Sequence, residues 1–193
     1  EGPFMAVGGA ACPTLPGDLG LLEEILSAGA GRLAVMSVSP DAPGILPVIR
    51  RLRERGVTVF LTHTRATAEE TEAALDAGAV HATHFYDVFH APPETDPGVR
   101  PVGAVEAILA DPRASVDFIA DGVHVHPAAI RAAVAVASWG LLAITIHLSL
   151  TAALSLWLQP FVPQLALGFE AALRAQFEAQ FATDILVFAM LLV

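Results

Sequence analysis

VTVFLTHTRATAEETEAALDAGAVHATH, Val57 to His84, decides the fold class. Residues 57–62 are a β-branched and apolar run, which predicts a strand. Thr67 followed by Glu70 three residues later is a capping box that opens a helix. The apolar positions Ala73, Ala74 and Ala77 continue that helix, and Gly78 stops it. Residues 79–83 predict a second strand. A strand, a helix and a strand in close succession make a parallel βαβ unit, because only a crossover connection joins parallel neighbours.

The rhythm extends in both directions. A strand is expected at 32–38 (RLAVMSV), followed by Ser39-Pro40 and a helix through about Glu54. Downstream, a helix from about Val102 to Ala110 leads to a strand at 116–120. Pro127 suits the first turn of a last helix at 128–137. The expected fold is therefore α/β, with βα units around a parallel sheet as in a parallel barrel.

Composition narrows the chemistry. Hydrophobic residues make up 54 % of the chain, above the roughly 45–50 % of ordinary domains, which excludes disorder. A net charge of −10 opposes any sequence-independent grip on nucleic acid. All ten basic residues are Arg, so Schiff-base, P-loop and carbamylated-lysine mechanisms are excluded. Cys12 stands alone, which leaves neither an internal disulfide nor a Cys-based zinc site. No basic region followed by an apolar core marks a signal peptide, and a chain opening on Glu1 rather than Met reads as a piece of something longer.

The histidines fall where a parallel barrel puts its chemistry, at the C-terminal ends of strands. His63 follows VTVFLT, His84 follows VHAT, and His124 and His126 follow VDFIA and Asp121. Imidazoles at successive strand ends, with Asp87 and Asp121 close behind, are the ligand mix of a borderline divalent cation such as zinc.

The ordered set EGPF (Glu1 to Phe4), TH at His63 with Thr67, THFYDVF (Thr83 to Phe89), DPGV from Asp96 and IADGVHVHP (Ile119 to Pro127) resembles the N-acetylglucosamine-6-phosphate deacetylases of the amidohydrolase superfamily. The resemblance covers residues 1–137 and implies a partial (β/α)8 barrel of the amidohydrolase type, since a full barrel takes about 250 residues and this chain has 193. It implies that Glu1, His63 and His84 hold one divalent metal ion, zinc or iron, and that a metal-activated water attacks an acetamide carbonyl. It further implies substrate contacts from Asp87, Val88, Asp121, Gly122 and His124, with His124 reaching a sugar phosphate. His126 is read as structural, and His81 and His90 as loop or surface residues. The implied partner is a small N-acetylated sugar phosphate, the location cytoplasmic, and the parent protein a homo-oligomer.

Several positions depart from the family pattern. A His that polarises the substrate carbonyl is replaced by Ala11, a family Asn by Asp87, and a phosphate-binding Arg by Thr95, with Arg100 five residues on. These changes leave a second reading open, a hydrolase of the same superfamily acting on another amide or ester. The family's general-base Asp is missing, since Thr145 is followed by Ile146 and no Asp lies between Asp121 and Asp184. His147 is a weak candidate to replace it.

The domain division expected is 1–138 for the barrel segment and 139–193 for an apolar helical tail foreign to it. Nothing charged lies between Ala132 and Phe169. Residues 141–158 would span about 27 Å as a helix, near the roughly 30 Å of a hydrocarbon core. The favoured account of the tail is a junction where reading frame or assembly leaves the family sequence, ahead of a divergent structured tail and of a bilayer span. An inactive or membrane-associated truncated product is thus a third reading of function.

Overall fold

A computed structural model of the chain describes residues 2–9, 13–138, 149–150 and 157. Its contacts divide into two units, Glu1–Ile130 and Arg131–Val193. The first holds a sheet of four parallel strands in the order β1 (Val35–Val38), β2 (Thr58–Leu61), β3 (Ala79–Ala82) and β4 (Ser115–Val116). Helix α1 (Leu19–Gly29) precedes the sheet, α2 (Ile45–Glu54) joins β1 to β2, α3 (Ala68–Ala77) joins β2 to β3, and α4 (Ala104–Ala110) lies between β3 and β4. Strand order equal to chain order, with a helix at each crossover, is the arrangement of a partial (β/α) barrel.

Local sequence explains each helix. In α2, Ile45, Val48, Ile49 and Leu52 recur at the spacing of one helical face, and all four are buried. Such a side chain contributes about 1.5–3 kcal/mol when fully removed from water. α3 opens on the expected capping box, with the Thr67 hydroxyl accepting from Glu70 N and the Glu70 carboxylate accepting from Thr67 N. These helices cover a core built around Leu22, Val38, Ile49, Leu61 and Phe85, each 0 % exposed.

The EGPF segment is tied to the first strand. Gly2 N donates to Ser37 O at 3.1 Å, and Ser39 N donates to Phe4 O at 3.0 Å, with Phe4 fully buried. Only glycine fits at position 2, because a Cβ there would stand 2.8 Å from both Met36 Cγ and Ser37 O.

Three differences from the sequence reading have physical causes. Helix α1 was not expected, although its signal is present: the Asp18 carboxylate accepts from Leu21 N at the N-cap. β1 begins at Val35 rather than at 32, after the left-handed Ala30 that ends α1 (φ 47°) and a turn closed by Arg32 N to Gly29 O. β4 ends at Val116 rather than at 120, because its partner strand stops when His84 turns left-handed (φ 39°).

Residues 127–130 begin a helix in the first unit, and the described residues 131–138 of the second are helical. The contact division falls between Ile130 and Arg131, whereas the change in composition comes at 138–140. Apart from Ser149, Leu150 and Trp157, the apolar tail lies outside the described residues, as does His147. Among the described residues no helix is long and apolar enough to cross a membrane.

Candidate functional site

His63 and His84 follow the ends of the adjacent strands β2 and β3, and their rings meet edge to face with centroids 5.2 Å apart. Both residues have left-handed backbones, φ 48° and 39°. Non-glycine residues are uncommon there, and such strain persists only where the surroundings hold it. His63 is 5 % exposed. The backbone of Gly9 lies against its ring, where a Cβ would come within 2.4 Å of Cε1.

Short polar contacts hold the two turns. The carbonyl of His63 accepts from the Ser39 hydroxyl at 2.6 Å and from Val7 N at 3.2 Å, while the same hydroxyl accepts from Ala6 N at 2.9 Å. After His63, Asp41 accepts from the Thr64 hydroxyl at 2.6 Å and from Arg65 N at 3.0 Å. Thr64 then pairs with the following loop, donating from N to Val88 O and accepting from His90 N.

The ring of His84 is oriented at both nitrogens. Nδ1 lies 3.2 Å from the carbonyl oxygen of Asp87 and Nε2 lies 2.9 Å from the Thr62 hydroxyl. A carbonyl only accepts, so Nδ1 is the donor in that contact. The Asp87 carboxylate is 3.7 Å from Nδ1.

Of the expected substrate residues, Asp87 and Val88 share this loop, where Tyr86 (φ 75°) and Val88 (φ 56°) are also left-handed. Asp121, Gly122 and His124 form a second, exposed turn. One Asp121 oxygen accepts from Val123 N and His124 N, and the other lies 2.6 Å from His124 Nδ1. These hydrogen bonds, led by the backbone ones, lower the Asp121 carboxyl to about 2. The Asp121 hydrogen bond and charge raise His124, with a smaller contribution from the Asp87 charge. Arg100 pairs with Glu106 at α4 and is otherwise largely exposed. His126 receives Ala128 N on its ring at the start of the helix that begins at 127.

His81 is corrected from a loop or surface residue to a strand residue. It lies in β3 and is 4 % exposed. Its Nε2 donates to Asp117 at 2.8 Å and its Nδ1 lies 2.8 Å from the Ser115 hydroxyl. Asp117 in turn accepts from His84 N at 2.6 Å. Burial pushes the Asp117 carboxyl up, but the hydrogen bonds from His81, the His84 amide and Thr83 outweigh it, and the net shift is downward. The sequence reading missed Asp117, Asp41 and Ser39. A polar residue inside or just after a strand in an apolar context was the available signal.

The chain is 37 % identical over 134 residues to the N-acetylgalactosamine-6-phosphate deacetylase of Escherichia coli O157:H7, covering 67 % of this chain and 34 % of that protein. It is 40 % identical over 112 residues to the N-acetylglucosamine-6-phosphate deacetylase of Vibrio furnissii, covering 58 % and 27 %. The chain resembles the N-acetylglucosamine-6-phosphate deacetylases over about 60 % of its length. A crystal structure of the Mycobacterium smegmatis deacetylase matches with a TM-score of 0.55 and 36 % identity, over 61 % of this chain and 30 % of that one. No protein-family model matches. The chain spans about one third of the length of these deacetylases or less.

Glu1, expected as the third ligand, lies outside the described residues, as do Ala11 and Cys12. Among the described residues no three His, Cys, Asp or Glu side chains stand together as a metal site. The two imidazoles fit a divalent cation in their chemistry. Ligating histidines characteristically donate their second nitrogen to a carbonyl or carboxylate, as His84 does to Asp87.

Proposed function

We propose that this chain carries the cation site and part of the substrate site of a metal-dependent hydrolase that removes the acetyl group from N-acetylglucosamine 6-phosphate. The observation that carries this reading is the pairing of His63 with His84 at the ends of adjacent parallel strands, within residues 1–137, whose motifs resemble those of the deacetylases. His63 and His84, joined by Glu1, would hold zinc or iron. A cation bound there supplies Lewis acidity toward a water and the amide carbonyl.

The remaining roles belong to the chain's own side chains. His124, whose protonated form Asp121 favours, offers a cationic, exposed contact to a phosphate, and the Gly122 turn presents it. Asp87, when ionised, accepts from a sugar hydroxyl but cannot donate as Asn would, and Val88 lines the same loop. The absence of Asp between Asp121 and Asp184 removes the expected proton acceptor, so acetyl release by this chain is slower than that of a complete enzyme by about 10²–10⁴-fold. We place the activity in cytoplasmic amino-sugar breakdown by a homo-oligomeric parent protein.

The relative named for the galactosamine epimer favours a second reading, in which either N-acetylhexosamine 6-phosphate is accepted. Acetate release from both epimers and from unphosphorylated N-acetylglucosamine tests both readings. Faster release from the phosphorylated sugars is expected. Equal rates with and without phosphate would overturn the phosphate assignment.

A further inference from the structure

His81 and Asp117 form a polar column on a face where a barrel normally carries branched apolar residues. Phe60, His81 and Ser115 are cross-strand partners in register, on the face opposite Val59 and Leu61. The Phe60 ring packs on His81 at a centroid distance of 4.1 Å. From Ser115 the column runs through the His81 ring to the Asp117 carboxylate, and from there to the amide of His84. Residue 117 grips the end of β3 with its backbone as well. Its N–H donates to Ala82 O at 3.2 Å, and its carbonyl accepts from Phe85 N at 2.8 Å.

The network is only partly buried, with the His81 side chain 4 % and the Asp117 side chain 35 % exposed, and the desolvation it costs is tolerated when every member is satisfied. Here its last contact lands on a residue whose left-handed backbone, φ 39°, is otherwise unfavourable for a side-chain-bearing residue. A hydrogen bond to a carboxylate is about twice as strong as a neutral one, enough to hold such a turn.

We propose that Asp117 and His81 are positioning residues: the His81-oriented Asp117 carboxylate clamps the His84 amide and so aims the His84 imidazole at the cation site. This rests on reading His84 as a cation ligand, but the clamp itself is measurable without metal. Hydrogen exchange of the His84 amide in the metal-free 193-residue chain is the first readout, with Val59 of β2 as reference. Asp117→Ala is expected to speed exchange at His84 at least tenfold while Val59 is unchanged. The isosteric Asp117→Asn keeps a neutral acceptor, so its exchange falls between wild type and Ala, and it serves where the Ala variant does not fold.

Cobalt(II) titration followed by visible absorption is the second readout. Loss of a partner behind a ligand weakens metal binding about 10–100-fold, which is expected for Asp117→Ala, with partial rescue in Asp117→Asn. Unchanged His84 exchange in both variants overturns the clamp, whatever cobalt does. Faster His84 exchange with unaltered cobalt affinity overturns the aiming role. A wild-type chain that binds no cobalt, yet shows the exchange effect, overturns the cation-site reading and the aiming role while the clamp stands.

Discussion

The imidazoles of His63 and His84 stand perpendicular, at an interplanar angle of 90° and a centroid separation of 5.2 Å, although the residues are separated by a whole helix and strand. Parallel pairing of β2 with β3 brings the strand ends together, and a left-handed turn at each brings the rings face to edge. If these rings share a cation, replacing either His63 or His84 by Ala abolishes stoichiometric metal in the purified chain, whereas His90→Ala does not. Elemental analysis of the three variants checks this.

Ser39 is fully buried and bridges three segments, donating to His63 O and accepting from Ala6 N. Ser39→Ala removes the hydroxyl bond to the buried His63 carbonyl, which keeps Val7 N as a donor, and costs about 0.5–1.5 kcal/mol. Urea unfolding measures it as a lower midpoint at unchanged slope. A shift within about 0.5 kcal/mol, the range of ordinary surface substitutions, would show that the hydroxyl does not hold the turn.

The reciprocal bonds between Thr67 and Glu70 are local to the start of α3. Thr67→Ala is expected to lower stability by about 1 kcal/mol. Thr67→Ser, which keeps the cap, should stay close to wild type in the same unfolding experiment.

The Asp121 and His124 pair makes a prediction about pH. His124 is raised above its ordinary value near 6.5, so its favourable contribution is complete below that value and fades as pH rises through the raised one. Asp121 is lowered to about 2; its contribution is complete above about 3.9 and fades as pH falls toward 2. The pair is therefore at full strength between about pH 4 and 6.5. An NMR titration of the His124 Cε1 proton should give a midpoint above 6.5 that falls in Asp121→Asn.

The parts legible in the sequence were those whose causes are local. The Thr67 capping box, the single apolar face of α2 and the short apolar runs of β2 and β3 each write their signal within a few residues, and the structure places elements there. α1 was overlooked despite its Asp18 cap. β4 was read too long because its end depends on a turn at His84, more than thirty residues upstream.

Sequence by itself determined the parallel α/β alternation, the strand-end position of the histidines and the resemblance to the deacetylases, because periodicity, caps and motif order are properties of neighbouring residues. Only the tertiary structure decided that His63 and His84 touch, that His81 is buried in β3 rather than exposed in a loop, and that Asp117 reaches the His84 amide. Those contacts join residues 21 to 36 positions apart. They exist because parallel pairing sets adjacent strands side by side, and no local pattern encodes which side chains will meet across a sheet.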